Sequence, residues 1–159
     1  MPKEPPSAIV KAMNYLAARP LSQLELLNKL RRAGYPDNEC DAAITECLRH
    51  HYLDDEQLTT DCVEILHQRN LGSRQIRQKL LRRGLDGEKI NELLTGSGDD
   101  ELEAARRAME SKIRSLAREQ DPRKKREKLF RFMAARGFSP GLIFKVMNEF
   151  SSEPDDQEQ

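Results

Sequence analysis

The sequence contains no tryptophan, and aromatic residues make up only 5% of its 159 positions. That excludes a core built on large rings and disfavours strands, which draw on aromatic and β-branched residues. No run approaches the roughly 20 apolar residues of a membrane span. The opening "MPKEPPSAIV" lacks the apolar core of a secretory signal, so a cytoplasmic location without membrane attachment is expected. Cysteine is scarce: Cys40, Cys47 and Cys62 are an odd set with no CxxC pair. They point to a reducing compartment rather than a disulfide framework, and make a weak case for zinc even with His50 at helical spacing from Cys47. There is no Gly-rich phosphate loop and no HExxH, and His50, His51 and His67 stand near no serine nucleophile motif. No catalytic residue, metal or cofactor is expected, and the chain does not read as an enzyme.

What is present is leucine, alanine and charge. Charged residues reach 34% and hydrophobic residues 37%. Unbranched side chains lose little rotamer freedom in a helix, so long amphipathic helices around a modest core are expected. The formal net charge is zero, but its distribution is uneven. Residues 36–64 carry nine acids against the single Arg49, whereas residues 65–85 carry Arg69, Arg74, Arg77, Lys79, Arg82 and Arg83 with no acid. Residues 106–131 are again basic. Such blocks suit a face that docks on a charged partner, and equally the solvated faces of helices.

Three stretches repeat one pattern: "LRRAGYPDNEC", "LLRRGLDGEKI" and "MAARGFSPGLI". Aligned on Gly34, Gly84 and Gly137, which lie 50 and 53 residues apart, five apolar columns coincide without a gap. They are Leu26, Leu30, Tyr35, Cys40 and Ile44, then Ile76, Leu80, Leu85, Ile90 and Leu94, then Leu129, Met133, Phe138, Ile143 and Met147. A repeat of this kind signals an array of supersecondary units. Each glycine suits the left-handed residue that ends a helix, and the large residue after it packs back on that helix. The stretch is a helix–turn–helix corner used three times.

A further helix stands upstream in each copy. "SQLE" gives a capping box from Ser22 and Glu25 with Leu21 and Leu26 as its staple. Ile9, Met13 and Leu16 are spaced to pack on it, as are Leu58, Cys62, Ile65 and Leu66 in the second copy. The expected fold is all-α: three tandem three-helix repeats over residues 7–52, 53–96 and 97–150. Residues 1–6 and the acidic tail 151–159 are expected to be disordered. "TGSGDD" reads as a linker by composition.

Among candidate functional residues, Asp54 and Asp55 in "YLDDEQL" could bind a metal, but capping the helix that begins near Glu56 explains them more simply. In "SRQIRQKLLRR", Ile76, Leu80 and Leu81 form the buried stripe and leave Arg74, Arg77 and Arg82 outward with Lys79 at the margin. Exposed arginines grip carboxylates or phosphates through paired hydrogen bonds. "RKKREKLFRF", with Lys124, Lys125 and Arg126, is a second basic patch of the kind that attracts nucleic acid. The helices after the glycines argue against base reading, since "DNECDAAITECL" and "GEKINELL" are net acidic and "PGLIFKVMNEF" is mostly apolar.

The stretches "YLAARPLSQLELLNKLRRAGY", "HHYLDDEQL", "QRNLGSRQIRQKLLRRGL" and "KLFRFMAARGFS" together resemble the RecX family, bacterial regulators of the RecA recombinase. The family's Gly-aromatic-Leu-Asp-Asp motif is represented by Tyr52, Leu53, Asp54 and Asp55, with His51 in place of the glycine and Leu58 in place of the following aromatic residue. The resemblance implies that the three repeats form an elongated, curved array that lies in the groove of the RecA–single-stranded DNA filament. There it would inhibit ATPase, strand exchange and co-protease activity, and so modulate DNA repair and the SOS response. The implied partner is RecA, in the filament or as a free monomer, and the protein itself is expected to be a monomer. The alternative is a helical repeat protein that grips single- or double-stranded DNA directly through its basic helices. The expected contact residues are Arg69, Arg74, Arg77, Lys79, Arg82 and Arg83, with Lys124, Lys125 and Arg126 secondary.

Overall fold

A computed structural model describes residues 2–152, all of whose regular structure is helical. The helices are α1 (Ala8–Ala18), α2 (Gln23–Arg32), α3 (Asp37–Arg49), α4 (Asp55–Gln68), α5 (Ser73–Arg82), α6 (Gly87–Gly96), α7 (Gly98–Ser115), α8 (Pro122–Ala135) and α9 (Pro140–Ser152). They fall in threes, one corner per three. The acidic tail from residue 153 onward lies outside the described residues.

The corners are built alike. Gly34, Gly84 and Gly137 have φ of 95°, 79° and 99°. The amide after each glycine donates to a carbonyl five residues back: Tyr35 to Leu30, Leu85 to Leu80 and Phe138 to Met133, each at 3.2 Å. This is the Schellman closure, and it turns the large residue after the glycine onto the helix it has just left. Of the fifteen aligned apolar residues, all but Tyr35, Ile44 and Leu94 are buried.

Contacts divide the chain into two compact units, one of Met1–Cys62 with Leu80–Lys89, the other of Val63–Lys79 with the residues from Ile90 on. In the first, α1–α3 enclose a core of Ala8, Ala12, Leu21, Leu26, Leu30, Cys40, Ala43, Cys47 and Leu53. Ser7 caps α1, and Ser22 with Glu25 forms the full capping box of α2. In the second, α7–α9 enclose Ala104, Ala105, Ala108, Met109, Leu129, Met133, Phe138, Ile143, Val146 and Met147.

Four local expectations are corrected. Alanines, not Met13, form the inner face of α1: Ala12 is fully buried while Met13 is 44% exposed. Small residues there let α1 pack closely on α3. In α4 the buried positions are Leu58, Thr59, Val63 and His67, leaving Ile65 on the surface. Hydroxyl and imidazole are tolerated inside because Thr59 donates to the Asp55 carbonyl at 2.7 Å and the His67 ring is held between the Leu71 carbonyl and the Ser97 hydroxyl. Leu81 is likewise exposed on α5. Finally, "TGSGDD" is no open linker: Ser97 alone separates α6 from α7. Neither Gly96 nor Gly98 takes a positive φ, and Asp99, Asp100 and Glu101 complement the dipole at the start of α7.

Candidate partner-binding surface

The basic helix α5 is placed by its N-terminus. In the corresponding position of α2 stands Ser22, whose hydroxyl donates to the Arg83 carbonyl at 2.5 Å. At the start of α5 stands Gly72, and a Cβ there would overlap the backbone of Gly137. Without it, the Gly72 amide donates to the Arg136 carbonyl at 2.8 Å and the Arg74 amide to the Gly137 carbonyl at 3.1 Å. Free amides at a helix start thus meet the carbonyls of the third corner. A carboxylate adds to each start: Glu101 accepts from the Ser73 amide at 2.9 Å, and Asp55 from the Gln23 amide at 2.9 Å.

With its N-terminus anchored, α5 holds Arg74, Arg77 and Lys79 exposed. Arg77 donates to the Asn91 side-chain oxygen at 2.9 Å. Arg74 and Lys79 have no side-chain partner among the described residues, nor does exposed Arg69 at the end of α4. Arg82, further along the helix, is exposed too. On α8, Lys124 and Arg126 are exposed and Lys125 half-buried. Asp121 and Pro122 start that helix, the Asp121 carboxylate accepting from the Arg123 amide at 3.0 Å.

Arg83 departs from the expected set. It turns inward and forks onto Glu25 Oε1 at 3.0 and 2.9 Å, reaching also the Pro20 carbonyl at 3.1 Å and the Cys62 sulfur at 3.2 Å. Burial pushes the Glu25 carboxyl up, but the Arg83 guanidinium and the Ser22 amide outweigh it and hold the group below its ordinary value. Burial opposes the charge on Arg83 as well, and Glu25 overcomes it to raise that pKa. Arg136 is the counterpart in the third corner, donating to the carbonyls of Asn70 at 2.8 Å and Arg69 at 2.6 Å. A signal for both was available, since each stands immediately before a corner glycine, where the first repeat has Ala33.

The "YLDD" residues are structural in their contacts. Leu53 is buried in the first core, and Tyr52 is half exposed and stacks on His50. Asp54 caps its own helix by accepting from the Gln57 amide at 3.1 Å. Asp55, expected to do the same, serves α2 instead. His51 takes the left-handed conformation at φ 59°. Cys40 and Cys47 are buried in the first core, and burial pushes all three thiols up. Among the described residues no cluster of three or more His, Cys, Asp or Glu could hold a metal ion, and no helix is long and apolar enough to cross a membrane.

The described residues define a protein of tandem three-helix repeats with basic residues left free on its surface. Two family models match it: the RecX first three-helix domain over residues 8–47 and the RecX third three-helix domain over residues 99–147. The regulatory protein RecX of Legionella pneumophila (strain Corby) is 31% identical over 146 residues, covering 91% of this chain and 95% of that protein. The regulatory protein RecX of Vibrio campbellii is 34% identical over 129 residues, covering 80% and 81%. The crystal structure of RecX from Lactobacillus salivarius shares the fold at a TM-score of 0.81 and 19% identity, over 91% of this chain and 94% of that one. The chain belongs to the RecX family of regulatory proteins.

Proposed function

We propose that this protein inhibits a RecA-type recombinase by binding the recombinase filament on single-stranded DNA, suppressing ATP turnover, strand exchange and co-protease activity. The observation that carries this reading, beside family membership, is the basic set Arg69, Arg74, Arg77 and Lys79, which is exposed and has no carboxylate partner among the described residues. Desolvating such cations is favourable only against a surface that supplies anions, so they select an acidic partner. Arg82, Lys124, Lys125 and Arg126 extend the proposal. Arg83 is left out, because its guanidinium is already engaged by the half-buried Glu25 carboxylate, the Pro20 carbonyl and the Cys62 sulfur.

The test is ATP hydrolysis by the cognate recombinase on single-stranded DNA, titrated with this protein, beside direct DNA binding at the same salt. Inhibition below one protein per recombinase subunit, without comparable DNA affinity, is the expected result. Reversing Arg74 and Arg77 to glutamate together should weaken inhibition at least about tenfold with the helical circular dichroism unchanged. The same unpaired cations also fit phosphates. That second reading requires tight DNA binding by the protein alone, falling steeply with salt.

A further inference from the structure

The third repeat carries an open groove of about 510 Å³. Phe130 and Ala134 of α8 and Phe144 and Met147 of α9 form its walls and floor. The two rings are tilted against each other with centroids 5.3 Å apart, and Phe144 remains 48% exposed. These walls offer neither donor nor acceptor, so they cannot read a base edge or hold a polar headgroup; what they can cover is an apolar side chain. Leaving such a face in water is unfavourable, and burying it stabilises a complex.

The rim is charged. Arg126 and Arg131 line the groove, and neither has a side-chain partner among the described residues. Glu127, which lines the groove with them, is paired with Arg123 at 3.4 Å. Aromatic and arginine side chains around a dry centre are the usual composition of a protein-binding hot spot. The complementary surface is one bulky apolar side chain flanked by carboxylates.

We infer that this groove receives a segment of the recombinase in which a large apolar residue is bracketed by Asp or Glu. The inference rests on the proposed function and adds a second anchor to it. The test places p-benzoylphenylalanine at position 144 of the full chain, irradiates it with the recombinase–DNA filament, and maps the crosslink by mass spectrometry. Arg131→Glu is measured in parallel by filament binding. The expected result is a crosslink to the recombinase at an acidic segment with an apolar residue, together with binding weakened about tenfold by Arg131→Glu. A crosslink to DNA, to a second copy of this protein or to nothing overturns the inference, as does binding by Arg131→Glu within about twofold of the unaltered protein. In those cases the unaltered protein still binds the filament and the proposed function stands. If the unaltered protein fails to bind the filament, the proposed function falls and the groove's assignment with it.

Discussion

Two joints in this molecule perform one task with different chemistry. At the first, the start of α2 meets the corner at Gly84; at the second, the start of α5 meets the corner at Gly137. In both, a carboxylate from the next repeat caps the helix start, and the arginine before the glycine reaches back over it. At the first joint that arginine, Arg83, ends on the carboxylate of Glu25. At the second, Arg136 ends on two backbone carbonyls, and Arg107 adds bonds to the Asn70 side chain at 2.8 Å and the His67 carbonyl at 3.1 Å. At the first joint the arginine's bond is ionic and titrates with its acid; at the second both arginines end on neutral acceptors.

The comparison breaks most completely at the glycine of the second joint. Gly72→Val would drive a side chain into the Gly137 backbone and should cost more than about 3 kcal/mol. Ser22→Gly at the matching place should cost about 1 kcal/mol or less. Urea denaturation of the two variants measures both, and equal costs would mean that the joints do not differ in closeness.

The arginines sharpen the comparison. Arg83→Ala strips Glu25 of its two shortest cationic bonds, leaving only the exposed Arg19 at 3.4 Å, and should cost about 2 kcal/mol at pH 7, against about 1–2 kcal/mol for Arg136→Ala. Because Arg83 lowers the folded pKa of Glu25, the stability this carboxylate confers is present above its unfolded value and is lost as pH falls through the folded one. The penalty of Arg83→Ala should therefore shrink as acid is added below about pH 4. Asp55, whose folded pKa burial raises, works in the opposite sense and dampens the acid loss at this joint. The penalty of Arg136→Ala should stay level over the same range in denaturation followed by circular dichroism.

The smallest effect concerns the left-handed residues that follow α3 and α4. His51 and Asn70 have φ of 59° and 63°. Asparagine tolerates this conformation, whereas histidine strains in it, so His51→Gly should raise stability by about 1 kcal/mol. Asn70→Gly should lower it, because the Asn70 side chain accepts from Arg107. A shift in melting temperature of the same sign for both variants would contradict this.

The fold was legible because the corner is a local device. A glycine with apolar residues at fixed distances states both where a helix ends and which face turns inward, and Leu26, Ile76 and Leu129 fall into register without knowledge of any other part of the chain. Helices without such a marker were harder. In α4 the pattern Leu58, Cys62, Ile65 and Leu66 has helical spacing, yet the helix turns Val63 and His67 inward, because polar groups were available to satisfy the imidazole. The basic patch was legible as composition only. Arg82 and Arg83 are neighbours of identical chemistry, and which one is free depends on Glu25, nearly sixty positions away. The groove beside Phe144 gave still less sign, since an aromatic residue in an apolar helix reads as core until the helix opposite is placed.

The clasping arginine also acts as punctuation. Contacts that join unlike surfaces propagate without limit unless something stops them. The first corner has Ala33 where the others have arginine, and among the described residues nothing comes within 4 Å of where a side chain at Gly34 would begin. At the third repeat, α8 starts at Pro122, fifteen residues before its glycine, where α2 and α5 start eleven before theirs. Neither Ala33 nor the earlier start of α8 repeats the arrangement that closes the two joints inside the chain.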